Sequence, residues 1–101
     1  MPYIVLFEDD PSRADIRQRH MPEHLAFLDR NAGHVRAAGP LRDAATGAPA
    51  GGLWLVDADS PAAVTALVQA DPFWPTGLRR SVRILEWTQV FADGQRRIGG
   101  S

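Results

Sequence analysis

Gly52-Leu53-Trp54-Leu55-Val56-Asp57 gives way within three residues to Ser60-Pro61-Ala62-Ala63-Val64-Thr65-Ala66-Leu67-Val68-Gln69-Ala70, and the change of period across that join decides the fold. The first segment is a short apolar and aromatic run that reads as a buried strand. The second opens with a capping hydroxyl and a proline at the first helical position, and Val64, Leu67 and Val68 recur at the i, i+3, i+4 spacing of one helical face. It reads as a helix that ends near Ala70.

Upstream, Asp43 to Gly51 is rich in Ala, Gly and Pro without periodicity and reads as a connection. Before it, His34-Val35-Arg36-Ala37-Ala38-Gly39-Pro40-Leu41 begins as a strand and meets Gly-Pro, the pattern of a bend or bulge. Further upstream, Ser12 is placed to cap a helix, and the polar stretch Arg13 to Arg19 leads to Pro22. That proline is expected to break or restart the helix before Glu23-His24-Leu25-Ala26-Phe27-Leu28, with the pair of segments ending at Gly33. Tyr3-Ile4-Val5-Leu6-Phe7 is a first strand that stops at Glu8-Asp9-Asp10-Pro11.

Downstream, two prolines in Asp71-Pro72-Phe73-Trp74-Pro75-Thr76-Gly77 prevent continuation of the helix. Ser81-Val82-Arg83-Ile84-Leu85-Glu86-Trp87 then supplies a last strand. The order β-α-β-β-α-β is the split arrangement of the ferredoxin-like α+β fold: a four-stranded antiparallel sheet with two helices on one face. We expect one domain over residues 1–93 and a flexible tail over 94–101, where the chain becomes polar and glycine-rich. The face without helices needs a cover, and the simplest is a second copy packed sheet to sheet as a homodimer.

Composition excludes several functions. Eleven basic residues, all Arg, stand against 12 acidic ones for a net charge of -1, with no basic run to follow a phosphate backbone or an anionic membrane. Neither nucleic acid nor membrane is expected as a partner. The chain has no Lys for Schiff-base chemistry and no Cys for a disulfide, a thiolate nucleophile or a thiolate metal site. It has neither a long apolar span nor a signal-like N-terminus, so a cytoplasmic location is the default expectation. No glycine-rich phosphate loop is present, and no cofactor is expected.

Pro22-Glu23-His24-Leu25, Gly39-Pro40, Gly51-Gly52-Leu53 and Asp71-Pro72-Phe73, in this order and at about these spacings, resemble the YCII-related proteins, and the likeness extends to about residue 90. The resemblance implies a dimeric α/β barrel akin to the muconolactone isomerases, with a His and an Asp as catalytic centre. Carried over by motif, these fall on His24 and Asp71, and Gly39-Pro40 shapes the bend beside the pocket. Gly39, Pro40, Gly52, Pro72, Phe73 and Trp74 are then the expected pocket residues. The chain departs from the family pattern at Met21, where members often carry Arg, and at Gly52, where they often carry Ser.

Each candidate also has a plainer reading. His24 beside Leu25 and Leu28 could be a partly buried histidine bonded to backbone, although imidazole, with an ordinary pKa of about 6.5, is the side chain suited to accept and donate protons near neutrality. Asp71 could simply bond its own turn amides, or it could orient the histidine ring. His20 and His24 have a metal-compatible i, i+4 spacing, but no third ligand is recognisable and Pro22 intervenes, so no metal site is expected. Ser60 is explained as a helix cap. Three Trp and four Phe chiefly supply packing, with Phe73 and Trp74 the better pocket candidates because they adjoin Asp71 in a loop. Two functions remain: a cofactor-independent isomerase or lyase acting on a small organic acid or lactone through His24 and Asp71, or a non-catalytic dimeric module that binds a small ligand or a partner protein.

Overall fold

The computed structural model describes residues 1–97. Four strands, β1 (Pro2–Asp9), β2 (Val35–Arg42), β3 (Pro49–Asp57) and β4 (Arg79–Glu86), form one sheet in the order β2-β3-β1-β4. Every neighbouring pair is antiparallel. With α1 (Ala14–Arg30) between β1 and β2 and α2 (Pro61–Ala70) between β3 and β4, the chain has the expected ferredoxin-like α+β fold.

Strand alternation determines which face carries the helices. Tyr3, Val5 and Phe7 of β1 lie opposite Val56, Trp54 and Gly52 of β3, and all six are buried. Phe27 of α1 and Val64 and Val68 of α2 join these strand residues in one core, so both helices cover the same face. On the opposite face Ile4 pairs with Leu55 and Leu85, and Leu6 with Leu53. Those four central residues are only half-buried and Leu85 is exposed.

Pro22 does not interrupt α1, contrary to the sequence expectation. Its ring fixes a φ the helix already requires, and the cost is one N–H bond on an exposed stretch. Burial of Ile16, His24 and Phe27 on the other side holds the turns together across that gap. Ser12 does not cap α1 either. Both its amide and its hydroxyl donate to Asp10 Oδ1, forming a short 3-10 turn, Pro11–Arg13, ahead of the helix. Ser60 does cap α2, accepting from the Ala63 amide at 3.2 Å.

Two strands begin earlier than their apolar runs suggest. β3 starts at Pro49 and includes both glycines, and β4 starts at Arg79. The bend expected at Gly39-Pro40 is a register shift between Pro40 and Arg42 on the edge strand β2, where the missing proline N–H is tolerated. Beyond the sheet, β5 (Phe91–Ala92) and β6 (Gln95–Arg96) form a two-residue hairpin. Residues 98–101, the rest of the expected tail, lie outside the described residues. Among the described residues no helix is long and apolar enough to cross a membrane.

Gly51 is the backbone position with least freedom. It has φ +90°, and a Cβ there would lie 1.9 Å from the Phe7 carbonyl oxygen of the neighbouring strand. Gly51→Ala is therefore expected to cost at least about 2 kcal/mol, from combined backbone strain and steric displacement. Urea denaturation measures this; an unchanged midpoint would mean that β1 yields at Phe7.

Candidate active site

Helical spacing aligns Arg17, Met21, His24 and Leu28 along one stripe of α1, and all four border a cavity of about 110 Å³. Its other walls are Leu25 of α1, Phe7 of β1, Ala38, Gly39 and Pro40 of β2, Gly52, Leu53 and Trp54 of β3, and Arg79 of β4. His24 is itself buried. Its ring stacks on Phe73 at 4.3 Å between centroids, with Trp54 at 6.5 Å.

Asp71 follows α2 directly, where its extended backbone ends the helix. Its Oδ1 accepts the Phe73 amide at 3.0 Å, the turn bond that a short acidic side chain makes to its own loop. The same oxygen lies 3.0 Å from His24 Nδ1, and Oδ2 lies 2.9 Å from it. The local and the long-range reading of Asp71 therefore hold together: the turn amide fixes the carboxylate, and the carboxylate meets the ring.

An ionised carboxylate only accepts hydrogen bonds, so Nδ1 is the ring nitrogen that donates. Nε2 is thereby left as the lone-pair nitrogen of the neutral ring. It has no protein partner among the described residues and is not sealed from accessible space, and the residue it belongs to borders the cavity.

Arg79 completes the cluster. Its side chain is only 3% exposed and Nη1 lies 2.9 Å from Asp71 Oδ2. The approach is off-axis, so this contact is an ion pair without a directed hydrogen bond, and Nε and Nη1 have no acceptor. The guanidinium sits 3.9 Å above the Phe7 ring, with Trp54 and Phe73 within about 5.3 Å. Burial works to raise the Asp71 pKa, but the His24 hydrogen bond, the Arg79 charge and the Phe73 amide outweigh it and hold the carboxyl below its ordinary value. Burial pulls Arg79 below the usual arginine value, opposed by the Asp71 carboxylate.

The expected pocket residues separate into two groups. Gly39, Pro40 and Gly52 line the cavity. Phe73 does not line it: it is fully buried behind His24 and packs with Ile16 and Leu78. Pro72 does not border it, and Trp74 is 40% exposed on the Trp74–Thr76 turn. A loop so close to the core packs inward, and only its non-packing members face water. His20 turns to Glu23 at 3.2 Å, away from the His24 cluster. Among the described residues no three His, Asp or Glu side chains gather in a way that could hold a metal ion.

Arg79 and Arg17 were not anticipated from sequence. Arg17 borders the cavity and pairs with Asp9 Oδ2 at 2.5 Å. The only available signal for Arg79 was a charged residue between buried Leu78 and the strand, which is as easily read as a solvated loop. A larger concavity of about 570 Å³ lies on the far side of Arg17, along Asp9, Asp10, Leu41 and Arg80. It includes neither His24 nor Asp71; its titratable lining is Glu8, Asp9, Asp10 and arginines, whereas the smaller chamber is the one that His24 borders.

Fold and cluster define a class: a small ferredoxin-like α+β protein with a buried His–Asp–Arg cluster beside a cavity along its sheet. The chain belongs to the YCII-related family, whose domain matches residues 1–88. It is similar to the solved structure of 5-chloro-2-hydroxyhydroquinone dehydrochlorinase (TftG) from Burkholderia phenoliruptrix AC1100, in complex with 2,5-dihydroxybenzoquinone. That likeness has 26% identity over 87% of this chain and 94% of that one, with a TM-score of 0.77. A second structure, At3g17210 from Arabidopsis thaliana, is 12% identical over 91% of this chain and 97% of that one, with a TM-score of 0.48, too distant to bear on the argument. No curated protein matches the chain significantly in sequence.

The depressed Asp71 pKa makes stability depend on pH. A carboxyl whose folded value lies below its unfolded one contributes stability above the unfolded value, about 3.9, and loses it as pH falls through the folded value. The wild type should therefore lose more stability than Asp71→Asn does between about pH 7 and about pH 3. Urea midpoints at the two pH values check this; equal losses would show that the carboxylate is not stabilised by its partners.

Proposed function

We propose that this chain is a cofactor-independent lyase or isomerase acting on a small, ring-derived organic molecule, with His24 as the group that moves the proton and Asp71 as the residue that orients it. One observation carries the reading: His24, a residue of the cavity wall, has Nδ1 tied to a buried carboxylate while Nε2 has no protein partner among the described residues. A ring held in this way presents a base of fixed tautomer, and the carboxylate stabilises the imidazolium once the proton has moved.

In an elimination, Nε2 takes a substrate proton, the electrons of that bond form the new π bond, and the leaving group departs with its own pair. In an isomerisation the imidazolium returns the proton at another carbon. The likeness to TftG, by name a dehydrochlorinase, supports elimination as the first reaction to examine. Chloride release from 5-chloro-2-hydroxyhydroquinone and related halogenated hydroxyquinols is the direct assay. His24→Asn should lower kcat by about 100-fold or more, the usual scale of a general base, while leaving the fold intact. A His24→Asn protein as active as the wild type would end the proposal. A wild type that binds these molecules without turning them over would favour the non-catalytic ligand-binding module.

We also infer that the working form is a homodimer. Ile4, Leu6, Leu53, Leu55 and Leu85 form an apolar patch on the face without helices, and a second copy buries it with the same residues on both sides. Light scattering should give about 22 kDa, twice the 11.0 kDa chain, and Leu55→Asp should return it to the single-chain mass. A wild-type mass of one chain at micromolar concentration would count decisively against the dimer.

A further inference from the structure

Arg79 has more hydrogen-bonding capacity than its surroundings use. Its side chain is 3% exposed, its ion-pair partner among the described residues is Asp71, and both Nε and Nη1 lack an acceptor. A buried guanidinium with unused donors is costly, because each N–H has lost its water without replacement. The remaining nitrogen, Nη2, has no protein acceptor among the described residues and is not sealed, and the cavity that Arg79 borders is the one that His24 borders. Arg17 borders the same cavity from α1, with one amino group engaged by Asp9. Gly52 borders the same cavity, and a Cβ there would reach ordinary contact with the Gly39 carbonyl oxygen at 3.5 Å and Arg17 Nη2 at 3.9 Å, so its absence leaves that space to a ligand.

The charges of this wall fix what it can take. Asp9 and Asp71 offset Arg17 and Arg79, so with a neutral His24 the cluster has no net charge. Once the imidazole accepts a proton it carries one positive charge, and the donor of that proton is left with a negative one. We propose that Arg79, assisted by Arg17, holds an anionic oxygen of the substrate beside His24, making the site selective for ring compounds that carry a carboxylate, phenolate or enolate over neutral lactones and amides. The proposal rests on the acid–base reading of His24 and names the substrate class for that site. Charge-assisted bonds from a guanidinium to an oxyanion are among the stronger ones available, and here they act behind an aromatic screen of Phe7, Trp54 and Phe73 that excludes water. Proton removal places negative charge on the substrate, and Arg79 is positioned to stabilise it.

The test is calorimetric titration of the full chain with benzoate and with benzamide, a neutral molecule of nearly the same shape. The wild type should bind benzoate about tenfold or more tightly than benzamide, the loss expected when a buried cation lacks its oxyanion. Arg79→Gln should abolish the preference and Arg79→Lys should restore part of it. Arg17→Gln, at a more exposed position, should reduce it even if Arg79→Gln fails to fold. Equal binding of the two probes, binding of neither at millimolar concentration, or a preference unchanged in folded Arg17→Gln and Arg79→Gln proteins would overturn the proposal. His24→Asn separates this reading from the catalytic one, because it should lose turnover while keeping the preference for benzoate. A His24→Asn protein that keeps turnover removes the acid–base reading and leaves the anion site to be judged on binding alone.

Discussion

The Asp71 carboxylate is the point at which otherwise separate parts of the molecule are joined. It takes a hydrogen bond from its own turn through the Phe73 amide, one from α1 through His24, and the charge of Arg79 at the start of β4. Desolvating a carboxylate is expensive, and a buried ion pair is weak evidence for stability in itself, because its attraction roughly offsets the water that both ions lose. What the cluster supplies is geometry. A carboxylate with three partners on three elements permits one arrangement of the helix, the turn and the strand. Removal of any partner leaves an uncompensated buried group.

The surroundings of that cluster magnify its electrostatics. Phe7, Trp54 and Phe73 keep water from the His24 ring and the Arg79 guanidinium, and in such a medium charge interactions fall off far less than in water. The guanidinium is nonetheless more dependent on ring contacts and one off-axis anion than on hydrogen bonds. The imidazole, in contrast, has one nitrogen fully committed and the other, the lone-pair nitrogen, without a protein donor among the described residues. The cluster is thus asymmetric: Asp71 Oδ1 is engaged by the Phe73 amide and His24, while Asp71 Oδ2 and Arg79 Nε and Nη1 are held by charge alone.

Much of the fold was legible because it is written in period and punctuation. The strand-to-helix join at Asp57–Pro61, the alternation in Tyr3–Phe7 and the prolines after Asp71 are local signals, and each element formed where they stand. Pro22 misled because the cost of a proline depends on what the rest of the helix buries, and that is set by tertiary contacts. Ser12 misled because Asp10 was the better acceptor two residues earlier. At the site, His24 and Asp71 were singled out by motif resemblance, and no spacing in the chain encodes their 3.0 Å contact across 47 residues. Arg79 was hidden for a related reason: a charged residue at a strand start reads as solvent-facing until the fold places it over the Phe7 ring.

The ferredoxin-like arrangement divides the two faces of one sheet between two tasks. Trp54, with its helix-side neighbours, walls the cavity and screens the ion cluster, while Leu55, the next residue, lies on the open apolar face and Leu53, on the same face, also borders the cavity. Strand alternation alone separates Trp54 from Leu55, so a substitution at Leu55 need not disturb the polar cluster behind it. The His24–Asp71–Arg79 contacts all lie within one chain, and the cluster is complete there whatever covers the opposite face. A register slip of one residue in β3 would exchange Trp54 with Leu55 and remove both surfaces at once. Gly51, wedged against the Phe7 carbonyl where no Cβ can enter, stands at the point of the strand where that register is held.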